Sequence, residues 1–240
     1  MKRILFLLIS SALFFTSCEW ISYKRISGNG QLGTETRSVD RANKIGLSGS
    51  FNVEITQGAT TSVKIEADDN LLPYIETIEE GGVLHIRPRR HYSLSSDHNI
   101  TIYITTPKLE QVHIAGTGSV VGKSKFTGGD KLSLKISGSG DITLDVNTPE
   151  ITASISGSGD MHLSGETEKQ TIKIAGQGDY MADELKSEDT KLNIAGSGDI
   201  RVFADNKLDV SIAGSGTVLY KGSATVKQHV AGSGEIRKLE

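Results

Sequence analysis

The sequence predicts an all-β protein, a right-handed parallel β-helix. Three observations lead there: a Gly-x-Gly tripeptide recurs at a near-constant interval, apolar and polar residues alternate on both sides of it, and aromatic residues make up only 5 % of the chain. The tripeptide is carried by IAGTGSV (114–120), ISGSGDI (136–142), ISGSGDM (155–161), IAGQGDY (174–180), IAGSGDI (194–200), IAGSGTV (212–218) and VAGSGEI (230–236). Its glycines are Gly116 and Gly118, Gly138 and Gly140, Gly157 and Gly159, Gly176 and Gly178, Gly196 and Gly198, Gly214 and Gly216, and Gly232 and Gly234. Successive copies lie 22, 19, 19, 20, 18 and 18 residues apart. Such spacing is the signature of a solenoid, in which each unit buries its apolar face against its neighbours.

The alternation says what each unit is. In KLSLKISGSGDITLDVN (131–147), Leu132, Leu134, Ile136, Ile142, Leu144 and Val146 alternate with polar residues around Gly138-Ser139-Gly140. A period of two is a half-buried strand, here broken by a turn and then resumed. Ile151, Ala153, Ile155, Met161 and Leu163 repeat the pattern, as do Leu192, Ile194, Ile200 and Val202, and helical spacing fits none of these segments. Two strands per interval with near-identical turns favour stacked coils over a meander of hairpins. Coils about 4.8 Å apart would give the repeats a length of about 30 Å. A left-handed hexapeptide helix would space its apolar residues by six, so the spacing of two favours two sheets meeting at a Gly-x-Gly corner. Glycine suits that corner because it tolerates positive φ and lets neighbouring backbone come close. Low aromatic content fits a narrow interior filled by Ile, Leu and Val.

Residues 38–110 keep the alternation without the tripeptide, through Phe51, Val53 and Ile55, then Val63 and Ile65, then Leu84 and Ile86, then Ile100, Ile102 and Ile104. LSGSFNV (47–53) has the form of a degenerate copy, and DDNLLPYIETIEEGG (68–82) predicts a turn of helix and then a strand ended by Gly81-Gly82. This half is expected to form larger, irregular coils that close one end of the rod. The domain then spans 38–240, irregular over 38–110 and regular over 111–240.

The first 17 residues have the form of a signal peptide, with Lys2 and Arg3 ahead of the apolar run ILFLLISSALFF (4–15), too short to span a bilayer comfortably. Phe15-Thr16-Ser17-Cys18 resembles a bacterial lipobox, which implies a diacylated N-terminal Cys18 and an outer-membrane lipoprotein facing the periplasm or the cell exterior. Cys18 is the single cysteine, so no disulfide can form within the chain. Residues 18–37, with Gly28, Gly30 and Gly33, suggest a lipid-anchored tether. The chain carries 26 basic and 29 acidic side chains, and loss of Lys2 and Arg3 takes its balance from −3 to −5, which does not suit nucleic acid.

Several rows of residues are candidates for function. Asp141, Asp160, Asp179 and Asp199 follow four of the tripeptides, and stacking would set them in a ladder that either caps backbone N–H groups at each residue's own turn or attracts a cation. The nonapeptide of calcium-binding β-rolls is absent, and no metal or other cofactor is expected. Ahead of the glycines runs a row of small residues, including Ala175, Ala195 and Ala213, whose outward position suits a contact between protomers in a homo-oligomer. HIRPRRHY (85–92) is the densest basic run, suited either to an anionic glycan or to a solvated strand edge. His91, Asp97 and His98 are too loosely spaced for a metal site. Neither a nucleophile elbow nor a phosphate loop is present, and no catalytic residues are assigned.

NLLPYIETIEEGGVLHIRP (70–88), ITIYITTPKLEQVHIAGTGSV (100–120) and the serial Gly-Ser-Gly turns together resemble the head GIN domain family of auto-transporter adhesins, over residues 38–238. The resemblance implies a right-handed β-helix akin to pectin-lyase-like folds, an adhesive rather than catalytic role, and a ligand that is a glycan or protein of a host or neighbouring cell. A polysaccharide-processing β-helix and an envelope spacer are the alternatives. The first of these calls for a groove of carboxylates, arginines and aromatics along one face.

Overall fold

Each repeat folds as its alternation dictates, one strand running into the Gly-x-Gly corner and a second leaving it in a different stack. The computed structural model describes residues 23–239; Cys18, the signal sequence and the first residues of the expected tether lie outside them. In chain order the strands are β1 (Lys24–Ser27), β2 (Leu32–Arg37), β3 (Lys44–Gly49), β4 (Asn52–Gln57), β5 (Ser62–Asp68), β6 (Ile75–Glu80), β7 (Val83–Pro88), β8 (Tyr92–Ser95) and β9 (Thr101–Thr106). They continue as β10 (Gln111–Gly116), β11 (Ser119–Phe126), β12 (Lys131–Gly138), β13 (Asp141–Asn147), β14 (Glu150–Gly157), β15 (Met161–Gly176) and β16 (Tyr180–Gly196). The last five are β17 (Asp199–Phe203), β18 (Lys207–Gly214), β19 (Thr217–Lys221), β20 (Thr225–Gly232) and β21 (Glu235–Lys238).

Two parallel stacks result. The first runs β7, β3, β10, β12, β14, the end of β15, the end of β16, β18 and β20. The second runs β9, β4, β11, β13, the start of β15, the start of β16, β17, β19 and β21. β15 and β16 reach 16 and 17 residues because each passes without a break from the second stack into the first. Register is strict along the first stack: Gly49, Gly116, Gly138, Gly157, Gly176, Gly196, Gly214 and Gly232 form one column. LSGSFNV (47–53) is therefore the first coil of the solenoid.

The interior is aliphatic. Ile114, Ile136, Ile155, Ile174, Ile194 and Ile212 form one buried column, and like residues stack coil upon coil. Each fully buried side chain of this kind contributes about 1.5–3 kcal/mol of transfer free energy. One polar cluster interrupts the core. The Tyr180 hydroxyl donates to Gln170 Oε1 at 2.9 Å, and Gln170 Nε2 donates to Ser187 Oγ at 3.0 Å and Thr190 Oγ1 at 3.1 Å. Ser187 also donates to the Phe203 carbonyl, so these groups are satisfied as buried polar atoms must be. Burial pushes the Tyr180 phenol far above its ordinary pKa, and it stays neutral.

The N-terminal portion differs from expectation in two respects. Residues 24–37, expected within the tether, hold two strands: β1 pairs with β8, and β2 pairs antiparallel with β5. The segment between β4 and β10 is the larger, irregular coil expected, since β7 and β9 stack parallel on β3 and β4, but it also carries antiparallel pairings that were not expected, β5 with β2 and β9 and β6 with β7. β7 and β9 form the outermost level of the two stacks, and β5 and β6 are added beside them, so that the segment covers the outer side of the first coil. Its turn of helix is a single 3-10 turn, Leu72–Tyr74, held by Pro73 and leading into β6, and Gly81-Gly82 closes the β6–β7 hairpin. Both glycines have positive φ, 60° and 77°, which is what a tight two-residue hairpin turn requires.

Candidate functional site

The repeated tripeptide is fully used by the backbone. At Gly196, φ is +146° and a Cβ would stand 1.9 Å from the Gly176 carbonyl oxygen, while at Gly198 it would stand 2.1 Å from that of Gly178. The middle residue donates its N–H to the coil below: Ser158 to Gly138 O at 2.9 Å and Ser197 to Gly176 O at 3.0 Å. The serine side chains of these corners face solvent, away from any partner that could activate a hydroxyl.

The aspartates are coupled between coils. Asp160 N–H donates to Asp141 Oδ1 at 3.3 Å, Asp179 N–H to Asp160 Oδ1 at 2.9 Å and Asp199 N–H to Asp179 Oδ1 at 2.8 Å. The expectation that each carboxylate caps its own turn is corrected: it caps the next turn, because stacking brings that N–H within reach. Backbone donors thus meet one oxygen of Asp141, Asp160 and Asp179. Among the described residues no group of three or more His, Cys, Asp or Glu side chains is arranged to hold a metal ion.

The row of small residues lies on the outer face of the first stack. Ala175, Ala195, Ala213 and Ala231 are exposed and in register, and they line a shallow, mostly apolar groove of about 460 Å³ on the face opposite the buried Ile174, Ile194 and Ile212 side chains. Lys173, Asn193 and His229 form its other wall.

The basic run turns the corner from β7 into β8. Arg87 is tied to Glu76 (Nε to Oε2, 3.0 Å), Arg89 stands 5.9 Å from the centre of the Tyr92 ring, and Tyr92 packs on Tyr74 at 4.8 Å. Arg90 and His91 are exposed, and His91 takes φ 68°. Grooves of about 710 and 760 Å³ flank the β1–β8 ribbon and share Tyr23, Gly49, Pro88 and Tyr92. Neither has a carboxylate in its lining, and neither runs along a face of the rod, so both differ from the groove that polysaccharide cleavage calls for.

One cluster escaped sequence reasoning. Asp68, with 1 % of its side chain exposed, accepts hydrogen bonds from Ser96 Oγ and from His98 Nδ1 at 3.2 Å. The Ser96 hydroxyl, more than any other contact, holds the Asp68 carboxyl below its ordinary range, against the opposing effect of burial. Ser96 gives its proton to Asp68 rather than to an imidazole, so the trio lacks the order of a nucleophilic triad. It is a latch: Gly28 at the end of β1 packs so closely that a Cβ would meet Asp68 Oδ2 at 1.8 Å. His98 is thereby paired with Asp68, remote in sequence, rather than with Asp97 beside it. Only the polar Asp68 at the end of an otherwise apolar alternation hints at this.

Solved structures share the architecture. A "putative adhesin" from Bacteroides fragilis superposes with a TM-score of 0.84 at 25 % identity, over 89 % of this chain and 100 % of its own. A "putative lipid binding protein" from Parabacteroides distasonis gives 0.73 at 27 % identity, over 90 % and 100 %. A "putative adhesin" from Parabacteroides merdae gives 0.70 at 23 % identity, over 90 % and 99 %, and shows the fold alone. No curated protein matches the chain significantly. The model of the family described as "Putative auto-transporter adhesin, head GIN domain" matches residues 42–224, the first coil through β19 and the turn after it, and the chain belongs to that family.

Proposed function

We propose that the protein is a lipid-anchored adhesin or scaffold of the bacterial cell envelope, held in the outer membrane through Cys18 and without catalytic activity. Family membership over residues 42–224 carries this reading. The structure supports it by using the conspicuous repeated residues, Gly-x-Gly and Asp, to build the rod itself. What is left for recognition is the side of a long, regular, polar solenoid, suited to presentation rather than chemistry. The test is a deletion strain compared with its parent for attachment to mucin, matrix proteins and neighbouring cells, complemented by the wild-type gene. Reduced attachment to at least one of these supports adhesion, and unchanged attachment to all of them refutes it. Incorporation of a labelled fatty acid that is lost in Cys18→Ser tests the anchor separately.

A second feature of this reading is self-association through the groove of Ala175, Ala195 and Ala213. Its support is the combination of a smooth exposed row, a mostly apolar lining and strict register over successive coils. Ala195→Arg with Ala213→Arg should shift the sedimentation of a folded protein toward the monomer. A folded double variant that sediments like the parent removes the groove from consideration.

A further inference from the structure

We infer that the basic turn Arg89–His91, together with Lys24, is the membrane-facing surface of the protein and docks on the phosphates of anionic lipids in the leaflet that holds the Cys18 anchor. The inference rests on the lipid attachment proposed above. Its first ground is chain length. Because the chain is folded from Lys24 onward, only five residue steps separate Cys18 from Tyr23, a span of about 18 Å at full extension. The second is what the chain meets at the end of that span. Lys24 N–H donates to the His91 carbonyl at 2.8 Å, and Tyr92 N–H donates to the Arg89 carbonyl at 2.9 Å, so the entry into β1 is fastened to the turn. A lipid on Cys18 therefore keeps the turn within about two Debye lengths of the head groups at physiological salt.

The charge on that turn is unspent. Arg87 is paired with Glu76, but Lys24, Arg89 and Arg90 are exposed and enter no ion pair within 4.0 Å among the described residues. Tyr23, 61 % exposed, and Tyr92 flank the cations, and tyrosine is a residue that suits a membrane–water boundary. The chain as a whole is acidic, at −3, so its net charge does not draw it to an anionic leaflet, and attraction depends on a local cluster of cations such as this one. Docking there points the capped end at the membrane and the last coils away from it.

The experiment uses the mature chain, residues 18–240, as Cys18→Ser, so that binding is read without the acyl group. Its flotation is measured with vesicles of phosphatidylcholine alone or with about 30 mol% phosphatidylglycerol, at low salt. The expected result is binding to the anionic vesicles only, weakened at least about tenfold by Lys24→Gln/Arg89→Gln/Arg90→Gln and by about 0.15 M salt. Lys207→Gln/Lys227→Gln/Lys238→Gln, which removes the same charge near the opposite end, should bind like the parent. Thermal melts of both triple variants establish that they are folded. Equal binding by the parent and the first variant overturns the proposal, as does equal weakening by both variants, which reduces the effect to net charge. Tighter binding to dextran sulfate than to the vesicles, charge for charge, also overturns it in favour of an anionic glycan. A failed fatty-acid label with intact vesicle binding would remove the anchor while leaving the basic surface.

Discussion

At its N-terminal end the solenoid is closed by the segment between β4 and β10, whereas at its C-terminal end β20 and β21 have no strand beyond them among the described residues. Ile194, Ile212 and Val230 occupy one column, yet they are 3 %, 1 % and 38 % exposed. The last coil keeps the motif, VAGSGEI, but changes what lies beside it: Gln228 takes the register of the buried Val210, and Lys238 that of Tyr220. Polar side chains at inward positions blunt an open sheet edge against further pairing. The repeat thus specifies how coils stack, and the departures from it change what the last described coil presents. One end is covered by added strands; the last described coil carries polar side chains at inward positions.

The largest expected difference between rod and open end is in packing. Ile194→Ala should cost about 3 kcal/mol and Val230→Ala less than about 1 kcal/mol, read as urea midpoints at unchanged slope. Equal losses would mean that something covers the last coil in solution. Next is the polar cluster in mid-rod, where Tyr180→Phe leaves Gln170 Oε1 without its donor and should cost about 1–2 kcal/mol. The cap should loosen in acid at its latch. The Asp68 carboxyl sits below its usual 3.8 in the folded protein, so its stabilisation is fully present above pH 3.8 and is lost as pH falls from there through the lowered folded value. Amide protection of Ile26 and Leu94 should therefore drop in that window before that of Ile174, and Asp68→Asn should produce the same loosening at neutral pH. Smallest is Asp179→Asn, which retains an oxygen for the Asp199 N–H and should change stability by less than about 0.5 kcal/mol, with calcium leaving the melting temperature where it was.

The rod was legible because its information is periodic: alternation gives strands, and the spacing of Gly116 through Gly232 gives coils. The direction of the Asp ladder was not legible, since whether Asp160 caps its own turn or the next depends on the distance between coils rather than on neighbours in sequence. The supposed tether misled for a physical reason. β2, LGTETR, is an edge strand whose inward positions are Gly33, Glu35 and Arg37, so it shows no apolar alternation. Gly28 and Gly33 look like flexible linker but are contact glycines, each facing an aspartate of the cap where a Cβ would collide or crowd. The Asp68–Ser96–His98 latch joins segments about thirty residues apart through side chains that sequence periodicity does not connect.

Urea unfolding of Gly196→Ala beside Ser197→Ala decides whether the repeated tripeptide is a corner or a site. A Cβ on Gly196 meets backbone at 1.9 Å with φ at +146°, so this variant should lose more than about 3 kcal/mol or fail to fold. Ser197 is exposed, and Ser197→Ala should stay within about 0.5 kcal/mol of the parent and attach to cells as the parent does. The opposite pattern, a tolerated alanine at 196 with attachment abolished by alanine at 197, would contradict a purely structural corner and make the tripeptide a recognition site.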